Sequence, residues 1–172
     1  RQARLSKGIS LKKIAYTYHS EDGDRPFSIG PCDLEIASGE MVFIVGGNGS
    51  GKSTLAKILT GLYEPDGGHL SWDDKVVKPE NIDRYRSLFS VIFSDFHLFD
   101  RLYGVDLTDE QKLYDLLEDM KLDEKVHYRN NRFSTTNLST GQRKRLAMVV
   151  ALLEDRDVYL FDEWAPDQEP ED

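Results

Sequence analysis

Three short stretches of this chain combine residue types and spacings that can do chemistry. The first is Gly46-Gly-Asn-Gly-Ser-Gly51-Lys52-Ser53: a glycine, four residues, a second glycine, a lysine and a hydroxyl. Glycines at this density let the backbone curl until successive amide N–H groups point inward, which is how a loop grips phosphate oxygens. A helix starting near Ser53 adds the positive end of its dipole. Lys52 would neutralise β- and γ-phosphate charge, and the Ser53 hydroxyl would bind Mg²⁺, a hard cation that prefers oxygen. The candidate nucleotide contacts are therefore Gly47, Asn48, Gly49, Ser50, Gly51, Lys52, Ser53 and Thr54.

The second stretch is Val158-Tyr-Leu-Phe161, followed by Asp162 and Glu163. An apolar strand ending in carboxylates presents them where open α/β sheets bind ligands. With a phosphate loop upstream, Asp162 is the expected Mg²⁺ carboxylate and Glu163 the general base for a water attacking the γ-phosphate. Such a base supplies about 10²- to 10⁴-fold in rate and little ground-state binding. The third stretch, Leu138-Ser-Thr-Gly-Gln142, sets serine and glutamine at capping-box spacing ahead of the basic turn Arg143-Lys-Arg145. A helix should start there.

These residues need elements to position them. Met41 to Val45 is a continuous apolar run of strand length that feeds the glycine loop, and Leu55, Ile58, Leu59 and Leu62 follow at helical spacing with Gly61 as the cap. This predicts a strand, loop, helix unit. Leu88 to Phe93 and Val158 to Phe161 are two further buried-strand candidates. Upstream, Ile14, Tyr16 and Tyr18 share a face, and Phe27 with Ile29 and Leu34 with Ile36 repeat the period of two, between turn signals at Asp22-Gly23 and Ser38-Gly39. Short antiparallel strands beside a larger sheet follow from that pattern, and EPDGGHLSW supplies a turn and one more strand. Thr108 and Gln111 form a second capping box ahead of the stripe Leu113, Leu116, Leu117 and Met120. The helix opened at Ser139 should turn Leu146, Val149, Val150 and Leu153 inward.

Composition narrows the class. With 39% hydrophobic and 31% charged residues in 172, the chain is one globular domain able to bury a core. A net charge of −9 argues against a general nucleic-acid surface, despite the bases at Arg143, Lys144 and Arg145. One cysteine, Cys32, excludes an internal disulfide and makes a reducing compartment the simplest home. The longest apolar run, Leu146 to Leu153, is far short of the roughly 20 residues that span a bilayer. His19, His69, His97 and His127 all precede the Asp162 strand and read as surface or packing residues. The start without Met and the acidic end without a closing element read as a piece of a longer polypeptide.

Leu138-Ser-Thr-Gly-Gln142 resembles the LSGGQ signature of ATP-binding cassette (ABC) proteins, differing at Thr140, and the order of all three stretches matches that family. The resemblance implies an α/β fold: a P-loop NTPase (RecA-like) core sheet over residues 1–93 and 138–172, an N-terminal antiparallel β subdomain, and an inserted helical subdomain at about 95–137. One ABC ATP-binding domain, C-terminally truncated, would occupy 1–172. It further implies that Ser139, Gly141 and Gln142 bind the γ-phosphate of ATP held by a second copy of the domain, in a homodimer closed on two Mg-ATP. A helix start with free amides suits that anion.

Tyr18 is similar to the aromatic that stacks on adenine. Ser94 falls where the family has a glutamine that touches Mg²⁺ and couples to the membrane partner, so a bridging water or Asp95 would have to complete the reach. Ala165-Pro-Asp167 resembles the loop after the catalytic glutamate, and the family's switch histidine would lie past residue 172. Residues 94–104, SDFHLFDRLYG, with DEWAPDQEP at 162–170, are similar to cyclic-peptide and siderophore exporters. Those are bacterial half-transporters with membrane and ATPase parts on one polypeptide, which implies six membrane helices ahead of Arg1 and a position on the cytoplasmic face of the inner membrane. The function implied is an ATPase, with Lys52 and Glu163 catalytic, that powers export. Two other classes stand beside it. A soluble cassette ATPase acting on nucleic acid or the ribosome should show a basic face, and a small-molecule kinase would leave LSTGQ idle. The 172 residues taken alone are expected to bind nucleotide with impaired hydrolysis.

Overall fold

The computed structural model describes residues 4–18, 27–105, 107 and 110–163. They fall into two compact units, Arg1–Phe89 and Ser90–Asp172.

The first unit is built on an antiparallel sheet in the order β2-β1-β3-β4, from β1 (Gly8–Tyr18), β2 (Phe27–Ala37), β3 (Gly67–Trp72) and β4 (Lys75–Val76). Alternation places Ile9 and Leu11 on the buried face of β1, and a register shift after Leu11 returns Ile14 to that face. The irregularity centres on Lys13, at φ 51°, whose N–H donates to the Asp33 carboxylate at 2.7 Å. Burying each such aliphatic side chain contributes about 1.5–3 kcal/mol. The face begun by Ile14 fades along the strand: Tyr16 is half-buried and stacks on Tyr63, while Tyr18 is exposed.

Helix α1 (Lys52–Leu59) ends as its cap residue implies: Gly61 N–H donates to Ile58 O at 2.9 Å and Leu62 N–H to Lys57 O at 2.8 Å. The short α2 (Ile82–Arg86) holds that end in place through Tyr85, which is fully buried between Trp72 and Phe89 and donates its hydroxyl to Leu59 O at 2.6 Å. Burial pushes the Tyr85 phenol well above its ordinary range.

One expectation fails here. Met41 to Val45 is not a strand: residues 41–47 have no regular structure, and Phe43 and Val45 are 78% and 87% exposed. An apolar run encodes a preference for burial, but a strand also needs neighbours that take its N–H and C=O groups. Among the described residues this run has no ladder partner. The expected strand, loop, helix unit is therefore a loop leading into a helix.

The second unit contains β5 (Phe89–Ile92) from Ser90 on, α3 (Glu110–Asp119), the hairpin β6 (Tyr128–Arg129) with β7 (Arg132–Phe133), α4 (Thr140–Glu154) and β8 (Val158–Phe161). Leu113 and Leu117 of α3 pack with Leu146 and Val149 of α4, Leu122, Val126 and Phe133 into one core, and Leu116, Met120 and Val150 lie at its margin. Arg145 ties the two helices together by donating to Met120 O at 3.0 Å. Strands β5 and β8 pair. Asp162 N–H donates to Ile92 O at 2.9 Å, so the carboxyl ends of both strands lie side by side. With one strand neighbour among the described residues, β8 is less buried than its apolar sequence predicts, and Tyr159 and Phe161 are each more than a third exposed. Among the described residues of 95–137 are the helix α3 and the β6–β7 hairpin. The expected features at Asp22-Gly23, the Thr108 cap and Ala165 to Asp167 lie outside the described residues. Among those described, no helix is long and apolar enough to cross a membrane.

Candidate functional site

In the first unit the glycine loop wraps its own lysine. Ser50 N–H turns back to Gly47 O at 3.2 Å, α1 opens at Lys52, and the Lys52 ammonium donates to the carbonyls of Gly46 and Gly47 at 2.9 Å each. The N-cap residue, Gly51, has φ 92°, and a Cβ there would lie 2.6 Å from Ile29 Cγ2 and 3.0 Å from Phe27 Cζ. Both the conformation and the crowding demand glycine. Gly47 is different: a Cβ on it would meet nothing within 4 Å. The start of α1 has no side-chain cap and no acidic residue in its first turn. Its first amides, with the Ser53 and Thr54 hydroxyls beside them, are thus left for an external acceptor. Asn48, Gly49 and Ser50 form the exposed tip.

Tyr18 belongs to the same neighbourhood. It is the last residue of β1, paired across from Phe27, whose ring abuts Gly51. Cross-strand partners share a face, so the tyrosine stands on the side of the sheet that faces the loop. The alternation in the sequence assigns Phe27 and Ile29 to a strand face and is silent on the loop they wall. Contact with Gly51 is set by packing, for which no sequence signal exists.

In the second unit the paired strand ends bring Ser94 and Asp162 to one edge: Asp162 is bonded to Ile92, and Ser94 lies two residues beyond it. Glu163 follows at φ 52°, a left-handed conformation that is uncommon for glutamate, with its side chain exposed. At the head of α4 the capping box forms as its spacing predicts. Ser139 Oγ accepts Gln142 N–H at 3.3 Å, and Gln142 Oε1 accepts Ser139 N–H at 3.1 Å. Because Oγ is used as acceptor, the hydroxyl proton of Ser139 stays available to donate. A Cβ on Gly141 would meet nothing within 4 Å, and its φ is not positive. The fold of this unit gives no reason for glycine in that helical turn, where it costs about 1 kcal/mol relative to alanine.

The loop, the strand-end carboxylates and the capped serine-glycine turn together define the class: the chain belongs to the ABC transporter family, which it matches over residues 29–166. It is 50% identical over 168 residues to the ATP-binding protein SyrD of Pseudomonas syringae pv. syringae, covering 94% of this chain and 29% of that protein. It is 29% identical over 176 residues to an ATP-dependent lipid A-core flippase of Vibrio vulnificus strain YJ016, again covering 29% of the relative's length. The fold matches that of a bacterial Atm1-family ABC exporter solved with ATP bound, at a TM-score of 0.79 and 21% identity, over 98% of this chain and 31% of that one. The chain thus spans under a third of the length of these relatives.

Proposed function

We propose that the protein binds Mg-ATP at residues 47–54 and hydrolyses it as the motor part of a bacterial ABC exporter. The observation that carries this reading is the loop itself: a lysine ammonium held among loop carbonyls beside the uncapped, acid-free start of α1. A phosphate tail meets both the charge and the free amides there. Mg²⁺ suits the donors present. Among the described residues no cluster of His, Cys, Asp or Glu could hold a metal by itself, and Mg²⁺ is ordinarily held by one or two protein oxygens together with phosphate oxygens and water. Ser53 and Asp162 are the oxygens assigned to it, with Ser94 through a water or Asp95 in its place. When bound, the ion neutralises charge on the phosphates.

Tyr18 stacks on the adenine. Lys52 draws charge from the β- and γ-phosphates, and Glu163 accepts the proton of the attacking water. Ser139, Gly141 and Gln142 of a second copy close over the γ-phosphate. Catalysis of this kind is mostly positioning and charge stabilisation.

Closure of the homodimer drives a transmembrane part, N-terminal on the same polypeptide, at the cytoplasmic face of the inner membrane. The stretch after Ser94 supports a membrane partner: His97, Phe99 and Tyr103 form an edge-to-face ladder at 4.8 and 5.4 Å, with Phe99 and Tyr103 more than half exposed. The motifs at 94–104 and 162–170 favour a cyclic peptide or siderophore as cargo. Calorimetry on the intact protein tests the foundation. Magnesium-dependent ATP binding that Lys52→Ala weakens by about 10²-fold is expected, and its absence from a folded wild-type sample overturns the reading.

A further inference from the structure

The chain enters the first unit through Ser6, Lys7 and Gly8, and the Asp73-Asp74 turn between β3 and β4 takes hold of all three. The Asp73 carboxylate accepts the Ser6 N–H at 3.0 and 3.1 Å to its two oxygens, the Lys7 N–H at 2.6 Å and the Gly8 N–H at 3.3 Å. The grip is reciprocal, since Asp73 N–H donates to Gly8 O at 3.0 Å. From the other side Ser38 N–H donates to Lys7 O at 2.8 Å, and the Lys7 ammonium pairs with Asp74. Two backbone choices make room for this. Asp73 and Asp74 sit at φ 47° and 64°, a conformation aspartate tolerates, and Gly8 passes so close to β2 that a Cβ would lie 2.2 Å from Ile36 O.

Strand pairing does not require the arrangement. The ladder of β1 with β2 starts at Gly8 and that with β3 at Ile9, so of the three residues the carboxylate holds, Ser6 and Lys7 lie ahead of both. Incoming segments of this kind ordinarily fray. Hydrogen bonds to an ionised acceptor are roughly twice as strong as neutral ones. Burial alone would push the Asp73 carboxyl up, but the N–H groups of Lys7, Ser6 and Gly8 outweigh it and hold the group below the usual carboxylate range. The acceptor is therefore charged at neutral pH.

We propose that the Asp73 carboxylate is a mechanical anchor: it makes the incoming chain at Ser6–Gly8 rigid with the unit that holds the phosphate loop, so that movement of this unit on nucleotide binding is passed to the polypeptide ahead of Ser6. The inference rests on the reading above, in which a membrane part precedes this chain.

Hydrogen exchange of the intact protein with and without Mg-ATP tests it in wild type, Asp73→Ala and Asp73→Asn. In Asp73→Ala the amides of Ser6 to Gly8 should exchange at least about tenfold faster. Mg-ATP affinity should stay within about twofold, since Asp73 touches no nucleotide-binding residue, and the ATP-induced change upstream of Ser6 should fall by at least half. Asp73→Asn, with one carbonyl acceptor left, should lie between. Should Asp73→Ala fail to fold, Ser6→Pro, which deletes one donated N–H outside the ladder, carries the same comparison. Unchanged protection in the variants overturns the anchor. Lost protection with a full upstream response overturns it too, leaving a plain tie at the sheet end. A wild type that binds Mg-ATP with no upstream response overturns the anchor alone, whereas a wild type that binds no Mg-ATP overturns the proposed function.

Discussion

The Lys52 ammonium donates to the carbonyl of Gly46 at 2.9 Å, and the same nitrogen reaches Gly47 O at the same distance. Two of the three N–H groups of the ammonium are therefore taken by its own loop. A phosphate has to offer it more than two neutral carbonyls, which a charged acceptor does. Truncating the side chain removes both the tie across the loop and the charge for the phosphates.

Lys52→Ala should weaken Mg-ATP binding by about 10²-fold, on the order of the 1.5–3 kcal/mol attached to a hydrogen bond with a charged group. Lys52→Arg should not rescue it, because a planar fork replaces a compact point charge. Calorimetric titration with Mg-ATP checks both.

Glu163→Gln should leave Mg-ATP affinity within about twofold while turnover falls about 10²- to 10⁴-fold, the share a positioned base supplies. Single-turnover phosphate release beside equilibrium binding separates the two quantities. Equal loss of both would remove Glu163 from the proton transfer and leave its left-handed backbone as a matter of strand-end geometry.

Gly141→Ala should preserve or raise thermal stability, by up to about 1 kcal/mol, since alanine is the better helix former and the space beside Gly141 is open. Turnover should nevertheless collapse, because in the proposed homodimer the added methyl would stand in the approach of the partner copy's nucleotide. A thermal melt and an ATPase assay on one preparation settle the matter. A stable, fully active variant would show that nothing approaches this turn.

Stability should depend on Asp73 in one direction of pH. The folded carboxyl titrates below its ordinary value of about 3.9, lowered against burial by the backbone donors of Lys7, Ser6 and Gly8. Its contribution is complete above that ordinary value and is lost as pH falls through the lower folded one. Wild type and Asp73→Asn should differ most at neutral pH and converge as acid is added. Acid titrations followed by circular dichroism provide the comparison, and parallel curves would contradict it.

The parts of the site legible in the sequence are those that depend on residues three or four apart. The capping box of Ser139 with Gln142 and the Gly61 stop of α1 form where the spacing puts them, because caps are closed by neighbours along the chain. The glycine loop with its lysine and hydroxyl is equally readable as a pattern, since those residues are contiguous. Packing escaped the sequence. Phe27 walls Gly51 from 24 positions upstream, and no periodicity records a contact at that distance.

By itself, then, the sequence determined the local chemistry of this protein: a glycine loop with its lysine, carboxylates closing an apolar strand, and a capped serine-glycine turn. Tertiary structure alone decided where Lys13 breaks the register so that Ile14 is buried, which carbonyl receives Asp162, and that Asp73 holds the chain at Ser6. It also decided that Met41 to Val45 stays out of the sheets. The reason is physical. Apolar character and cap spacing are properties of a segment, whereas a hydrogen-bond partner distant in the chain is a property of the fold.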